Sequence, residues 1–161
     1  MKFGLLMPFW NPARWERPFP ALYEELLLQI VHIEDLGYDN IWLTEHHFDD
    51  DGWSPALLPL AAGIATRTKR IRIGTFILIL PFQNAVRVAE DAVTVDLLSN
   101  GRFDLGVGKG YRNKEFDGFG FPREEREERL EEDLQVIKGV WTDDSYSFDG
   151  KYYNLRGIHL T

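Results

Sequence analysis

With 161 residues, 44% of them hydrophobic and 14% aromatic, the chain is long and apolar enough to bury one compact core, which argues against disorder. A formal net charge of -8 with no basic block argues against a nucleic-acid partner, and the absence of cysteine removes disulfides, thiolate metal sites and a cysteine nucleophile. The longest apolar stretch, Ile71 to Phe82, is broken by Arg72, Gly74 and Thr75 and is too short to span a bilayer, so no membrane partner is expected.

Lys2 to Phe9 reads as a buried strand, because Phe3, Gly4, Leu5, Leu6 and Met7 leave no polar face. Trp10-Asn11-Pro12-Ala13-Arg14 is a poor signal-peptide cleavage region, so a soluble cytoplasmic protein is expected. After a Pro-rich loop, a helical period begins at Ala21, with Leu22, Leu26, Ile30, Ile33 and Leu36 on one stripe and Gly37 as the stop. Asn40 to Thr44 is the second strand, closed by Glu45-His46-His47-Phe48 and the acidic turn Asp49-Asp50-Asp51-Gly52. Ser54 and Pro55 then open a helix as N-cap and first helical residue, running to about Thr68. Ile71 to Leu80 is the third strand, bounded by Pro81. Asn84 caps a third helix carrying Val88, Ala92 and Val95, which stops at Ser99-Asn100-Gly101.

Arg102 to Val107 is the fourth strand, and Gly106, Gly108 and Gly110 make its exit tight. A long loop through Tyr111, Phe116, Phe119 and Phe121 leads to a charged helix near Arg123 to Trp141, whose expected buried stripe is Leu130, Leu134, Ile137 and Trp141. The aromatic residues of that loop either line an apolar pocket or anchor the loop. The charges of the helix read as a solvated face with i,i+4 pairs. Tyr146-Ser147-Phe148 and Lys151-Tyr152-Tyr153 flank Asp149-Gly150, a strong hairpin signal. Four β-then-α units with buried strands call for a parallel sheet with right-handed crossovers, an α/β fold. Part of a (β/α)8 barrel and an open doubly wound sheet both accommodate this pattern. A full barrel takes about 250 residues, so four units make half of one.

Two segments carry chemistry. In Glu45-His46-His47, adjacent histidines on a strand point to opposite faces and form a poor chelating pair. With Asp49 to Asp51 added, the spacing still matches no common ligand pattern, and no metal is expected. In Gly106-Val107-Gly108-Lys109-Gly110, a phosphate-binding P-loop would need Ser or Thr after the lysine, and the third-glycine spacing departs from the dinucleotide fingerprint. A tight strand-to-loop turn is the simpler reading.

Four segments, in this order, resemble the bacterial-luciferase-like family of flavin-dependent monooxygenases. They are Met1-Lys2-Phe3-Gly4; Ile41-Trp42-Leu43-Thr44-Glu45-His46-His47-Phe48; Ile73-Gly74-Thr75 through Leu80-Pro81 to Val86-Arg87-Val88-Ala89-Glu90-Asp91; and Leu97-Leu98-Ser99-Asn100-Gly101-Arg102-Phe103 through Gly106 to Tyr111. The resemblance covers residues 1 to about 155. It implies that residues 1–161 are a single domain, the N-terminal half of a (β/α)8 TIM barrel followed by a hairpin near 146–153. Such barrels bind reduced FMN, or a deazaflavin in some branches, at the C-terminal ends of their strands. With O2 the flavin gives a peroxyflavin that oxygenates a small organic substrate. Reduced flavin usually comes from a separate NAD(P)H-dependent reductase, and this chain has no convincing dinucleotide fingerprint of its own.

The same resemblance assigns residues. It makes His46 the histidine facing the flavin edge, a hydrogen-bond partner or acid/base for the peroxyflavin, a role that suits a group titrating near working pH. His47 is expected to brace the strand end, through Glu45. Phe76 and Ile77 match a cofactor-binding step where a non-proline cis peptide lies beneath the flavin ring, the alternative being an ordinary buried strand. Gly108, Lys109 and Gly110 match the turn near the flavin phosphate. Lys109 stands where the family usually has arginine, which supplies charge without a bidentate fork. Luciferases proper carry a cysteine at the position of Gly108. Four strands of a barrel expose two sheet edges and an apolar inner face, so a homo-oligomer is expected. Alongside the enzyme stands the reading of a truncated, non-catalytic half barrel that self-associates and holds flavin weakly or not at all.

Overall fold

The computed structural model describes residues 1–160. In chain order they form β1 (Gly4–Met7), α1 (Phe19–Asp35), β2 (Asn40–Leu43), α2 (Leu57–Ala65), β3 (Arg72–Thr75), β4 (Leu78–Ile79), α3 (Ala85–Ser99), β5 (Phe103–Asp104), β6 (Val107–Gly108), α4 (Asn113–Phe119), α5 (Arg126–Thr142), β7 (Tyr146–Asp149) and β8 (Asn154–Ile158). No helix among the described residues is long and apolar enough to cross a membrane. The described residues divide into two compact units, one of residues 1–78 and 94–107, the other of residues 79–93 and 108–160.

The first unit is built on a four-stranded sheet in the order β1-β2-β3-β5, with every pair parallel. Leu5, Ile41, Ile73 and Phe103 share one row of the register, and Leu6, Trp42, Gly74 and Asp104 the next. Successive side chains alternate between faces. Ile41, Leu43, Ile73 and Thr75 are buried, as is most of α2 and the Leu22 and Ile30 positions of α1. The other face is open: Leu6 is 54% exposed and Phe76 62% exposed. The expectation of strands buried on both sides is thus corrected to one buried face, and β1 loses its cover first because it is an edge strand. Leu36, placed on the buried stripe of α1 from its period, is exposed, since α1 ends at Asp35 and Gly37 turns away with φ 91°.

Two charged side chains knit the ends of this unit. The carboxylate of Glu34 accepts backbone N–H bonds from Lys69, Arg70 and Ile71 at 2.6–3.1 Å. Partial burial raises its pKa, but those three N–H groups outweigh it and hold the carboxyl below its ordinary value. The guanidinium of Arg102 donates to the carbonyls of Ala65, Thr68, Ile71 and Ser99 and to Thr68 Oγ1 at 2.6–3.1 Å. One planar fork therefore satisfies the carbonyl ends of both α2 and α3.

Several boundaries differ from the sequence expectation. The helix expected to open at Ser54-Pro55 starts at Leu57, with no side-chain cap. Proline biases Ser54 toward extended backbone, and the Ser54 carbonyl takes the His46 N–H at 3.5 Å, so residues 54–56 follow the strand end instead. The third strand breaks after Thr75, and the fourth splits into β5 and β6 around Gly106.

In the second unit, the loop expected through Tyr111 to Phe121 contains α4. Phe116, Phe119 and Phe121 gather on Phe82, with centroids 4.7, 4.7 and 6.3 Å away. These three rings anchor the segment, while Tyr111 is exposed. The buried stripe of α5 is Asp133, Val136, Ile137 and Val140, with Trp141 exposed, a rotation from the expected Leu130-Leu134-Ile137-Trp141. The cause is the hairpin. Glu132 accepts the N–H groups of Lys151 and Tyr152, and Tyr153 OH donates to Asp133 Oδ1 at 2.7 Å while accepting the Ala85 N–H at 2.9 Å. Residues 151–153 are therefore held by α5 rather than by β7, and the second arm begins at Asn154, opposite Asp149. Of the expected i,i+4 pairs on α5, Arg129 with Glu125 forms, but Glu128 and Glu132 reach the hairpin instead.

Removing the fork of Arg102 leaves four helix-end and loop carbonyls short of donors. Arg102→Ala is expected to lower stability by about 2–4 kcal/mol in urea denaturation, and a change below about 0.5 kcal/mol would show that water replaces the fork. Asp133 gives a pH prediction. Burial raises its carboxyl to about 6, against weaker lowering by the Tyr153 hydrogen bond and Arg129. Between the unfolded value of about 3.9 and that raised value the folded state holds a proton that the unfolded state releases, so this group costs stability as pH rises through that window. Asp133→Asn should therefore stabilise the chain at neutral pH by about 1–3 kcal/mol and flatten its pH profile between about 4 and 6. Denaturation midpoints measured across that range check it, and parallel profiles for the two proteins contradict it.

Candidate functional site

In parallel α/β sheets, ligands meet the carboxyl ends of strands, because the chain leaves those ends in loops free to carry chemistry. Within the first unit, the carboxyl ends of β2 and β3 carry His46 and the Phe76-Ile77 step. These ends are neighbours: Leu43 pairs with Thr75, and the Phe76 N–H donates to the Leu43 carbonyl at 2.6 Å.

The peptide bond between Phe76 and Ile77 is cis, as the sequence resemblance had anticipated. Just before it, Thr75 is fully buried. Its Oγ1 donates to the Gly106 carbonyl at 2.7 Å and accepts the Gly106 N–H at 2.9 Å. A Cβ on Gly106 would lie 2.2 Å from the Thr75 carbonyl oxygen, so no other residue fits this approach. The Leu78 N–H continues the contact to the Gly106 carbonyl at 2.9 Å. The Phe76 ring points to the open face, edge-on to Trp42 at 6.3 Å, and Trp42 in turn lies over Gly74, where a Cβ would strike its ring.

His46 and His47 lie just beyond the last residue of β2, and their surroundings differ. His47 is buried, and its Nε2 lies 2.7 Å from Glu45 Oε1, also buried, so the expected bracing pair is present. His46 is half-buried, with its ring edge-on to Trp53 at 5.0 Å. Trp53 is fixed in turn: its Nε1 donates to Thr44 Oγ1 at 2.7 Å and more weakly to the Thr44 carbonyl, and its backbone N–H donates to Asp51 Oδ1. Trp10 adds a further tilted ring 6.0 Å from Trp53. Sequence reasoning did not find Trp53. Its signal was a lone large aromatic residue closing an acidic turn, a place where exposed polar side chains are the norm.

Gly108, Lys109 and Gly110 belong largely to the exit of β6 in the second unit. Gly110 has φ 73°, and a Cβ there would meet Ile79 and Phe116, so the turn is as tight as its glycines suggest. Lys109 ion-pairs with Glu127 of α5 through a short Nζ–Oε1 contact. That hydrogen bond holds the exposed Glu127 carboxyl below its usual range. Glu127 is a second residue the sequence did not mark, since eighteen positions separate the partners and only the fold brings them together. Lys109 is thus a reachable cation that is already partnered.

Residues 1–161 match the family described as luciferase-like monooxygenase. The F420-dependent glucose-6-phosphate dehydrogenase of Amycolatopsis mediterranei is 37% identical over 138 residues, which span 81% of this chain and 41% of that protein. The alkanal monooxygenase alpha chain of Photorhabdus laumondii is 30% identical over 164 residues, spanning 99% of this chain and 44% of that one. Among solved structures, the oxygenating constituent of 3,6-diketocamphane monooxygenase from Pseudomonas putida, in complex with FMN, superposes with a TM-score of 0.88 at 21% identity, covering 99% of this chain and 44% of its own. The fold is accordingly that of the parallel (β/α) units in the N-terminal half of a TIM barrel, followed by an antiparallel hairpin. The chain spans about two fifths of the length of these curated relatives.

The buried Glu45–His47 pair yields a direct expectation. Truncating His47 removes a buried hydrogen bond to Glu45, so His47→Ala should cost about 1–3 kcal/mol, while half-buried His46→Ala should cost less than about 1 kcal/mol. Equal losses in thermal or chemical denaturation would overturn the division of labour between the two histidines.

Proposed function

This chain belongs to the luciferase-like monooxygenase family, and from that premise we propose that residues 1–161 are the N-terminal half of a cytoplasmic flavin-dependent monooxygenase. It uses reduced FMN and O2 to oxygenate a small organic substrate. The observation that carries this reading is the half-buried His46 ring, held edge-on by Trp53 at the carboxyl end of β2, beside the strand end that bears the Phe76-Ile77 step. Reduced FMN, when bound, supplies the electrons that activate O2. The protein's own part is to present and orient. His46 offers an imidazole nitrogen that holds or passes a proton, and Trp53 keeps that ring from turning. Phe76 and Ile77 offer an apolar step for a planar ring, and Gly108, Lys109 and Gly110 a compact turn with one cation for a phosphate. F420, named in the dehydrogenase relative, is the alternative cofactor. Electrons come from a separate NAD(P)H-dependent flavin reductase, a reading supported by a relative named as the oxygenase component of a flavin-dependent trigonelline monooxygenase.

A second reading is favoured by the open sheet face. Leu6 and Phe76 are exposed on it, and apolar faces of this kind are covered by association. On that reading the chain is a non-catalytic half barrel that forms homo-oligomers and holds flavin weakly or not at all. Anaerobic titration with reduced FMN and with reduced F420, combined with size-exclusion chromatography, separates the two. Micromolar FMN binding is expected, and it should be lost in His46→Ala with the fold intact. Where turnover is measurable, His46→Ala should slow it by about 10²–10⁴-fold, the usual worth of a placed acid/base. Absence of flavin binding at every oligomeric state removes the enzyme reading for this chain.

A further inference from the structure

Lys109 is the cation of the β6 exit, and it is not idle. Its Nζ is bound to Glu127 Oε1, and Arg126 Nη2 lies 3.7 Å from the same oxygen. Both members of the pair remain accessible, the Lys109 side chain 46% and the Glu127 side chain 61% exposed. Glu127 sits in the first turn of α5, where the helix dipole favours a carboxylate. Any anion that seeks Lys109 therefore meets a resident one. Exposed ion pairs of this kind are weak, so the resident carboxylate can be displaced. A phosphate monoester brings more charge and three acceptor oxygens, against the single oxygen that Glu127 presents.

We propose that Glu127 is a built-in carboxylate competitor that occupies Lys109 and must yield to a phosphate ester, so that it sets how strongly this chain prefers phosphorylated over unphosphorylated flavin. The proposal rests on the reading that Lys109 meets the flavin phosphate. It makes Glu127 a specificity-determining residue that acts through Lys109 rather than on the flavin ring. Lysine at this position is what makes the competition possible. Its compact ammonium concentrates one charge at a point that one carboxylate oxygen can neutralise, whereas a guanidinium spreads its charge over a planar fork of five donors.

The test uses the whole chain and oxidised flavins as stable probes, with FMN and riboflavin titrated separately by flavin fluorescence. Glu127→Gln is expected to tighten FMN binding about two- to five-fold, the range of an exposed ion pair, and to leave riboflavin unchanged. Glu128→Gln controls for charge, because it removes the same charge from a carboxylate bound to Lys151 at 2.7 Å. It should leave the FMN-to-riboflavin ratio unaltered. Lys109→Ala should abolish the preference for FMN, and Glu127→Gln should then add nothing. If Lys109→Ala leaves the preference intact, the phosphate reading of Lys109 fails and takes this proposal with it. If Lys109→Ala removes the preference but Glu127→Gln does nothing, or matches Glu128→Gln, only the competitor role fails. A readout that needs no flavin is the side-chain carboxyl NMR resonance of Glu127. It should move when inorganic phosphate is added to the unsubstituted chain and stay fixed in Lys109→Ala, and a resonance indifferent to phosphate in both overturns the proposal.

Discussion

The approach of Gly106 to Thr75 is the constraint on which the geometry of the first unit depends. Thr75 exchanges two hydrogen bonds with the Gly106 backbone across a distance that excludes any Cβ. That clasp ends β3 at Thr75, and the Leu78 N–H returns to the same Gly106 carbonyl. It also ties the carboxyl ends of the third and fourth barrel strands together while their register with β2 is kept by the Phe76 N–H on Leu43. The side chains proposed to act, His46 and Phe76, thus emerge from backbone that is pinned on both sides. A site held to within a fraction of an ångström needs such support from elements that do not move.

On the proposed reading, stability and function are separated along the strand direction. The amino ends of β3 and β5 are served by Glu34 and Arg102, whose charges are spent on backbone N–H and carbonyl groups that loops and helix ends leave unpaired. Charges so used are poor candidates for chemistry, because each is already saturated by fixed partners. At the carboxyl ends the pattern reverses. His47 is committed to Glu45 inside, and the adjacent His46 is left half-exposed against an aromatic neighbour. Two identical side chains, adjacent in sequence, thus meet different surroundings.

Much of this could be read from the residues. Gly37 and Asn100-Gly101 mark the ends of α1 and α3 because positive φ has few tenants, and Asn84 caps α3 by accepting the Arg87 N–H. The cis bond at Phe76-Ile77 came from family resemblance, since nothing in the propensities of Thr75-Phe76-Ile77 suggests it. What the sequence concealed was set by distant partners. Asp133 lies on the buried stripe of α5 only because Tyr153, twenty residues later, gives its carboxyl a donor. The break in β3 depends on a glycine thirty-one residues away. Ser54-Pro55 looked like a helix start because capping is local, yet the Ser54 carbonyl is claimed by His46. Periodicity finds elements, and long-range polar contacts decide where they end.

The open sheet face and the proposed chemistry are two consequences of one arrangement. Leu6, Trp42 and Phe76 present an apolar, partly aromatic surface on the side of the sheet that the helices leave bare. On the proposed reading, that surface favours a planar heterocycle at its carboxyl edge and a second apolar layer over the rest. Covering it completely would stabilise the chain but leave no room for a ligand, and leaving it bare invites association.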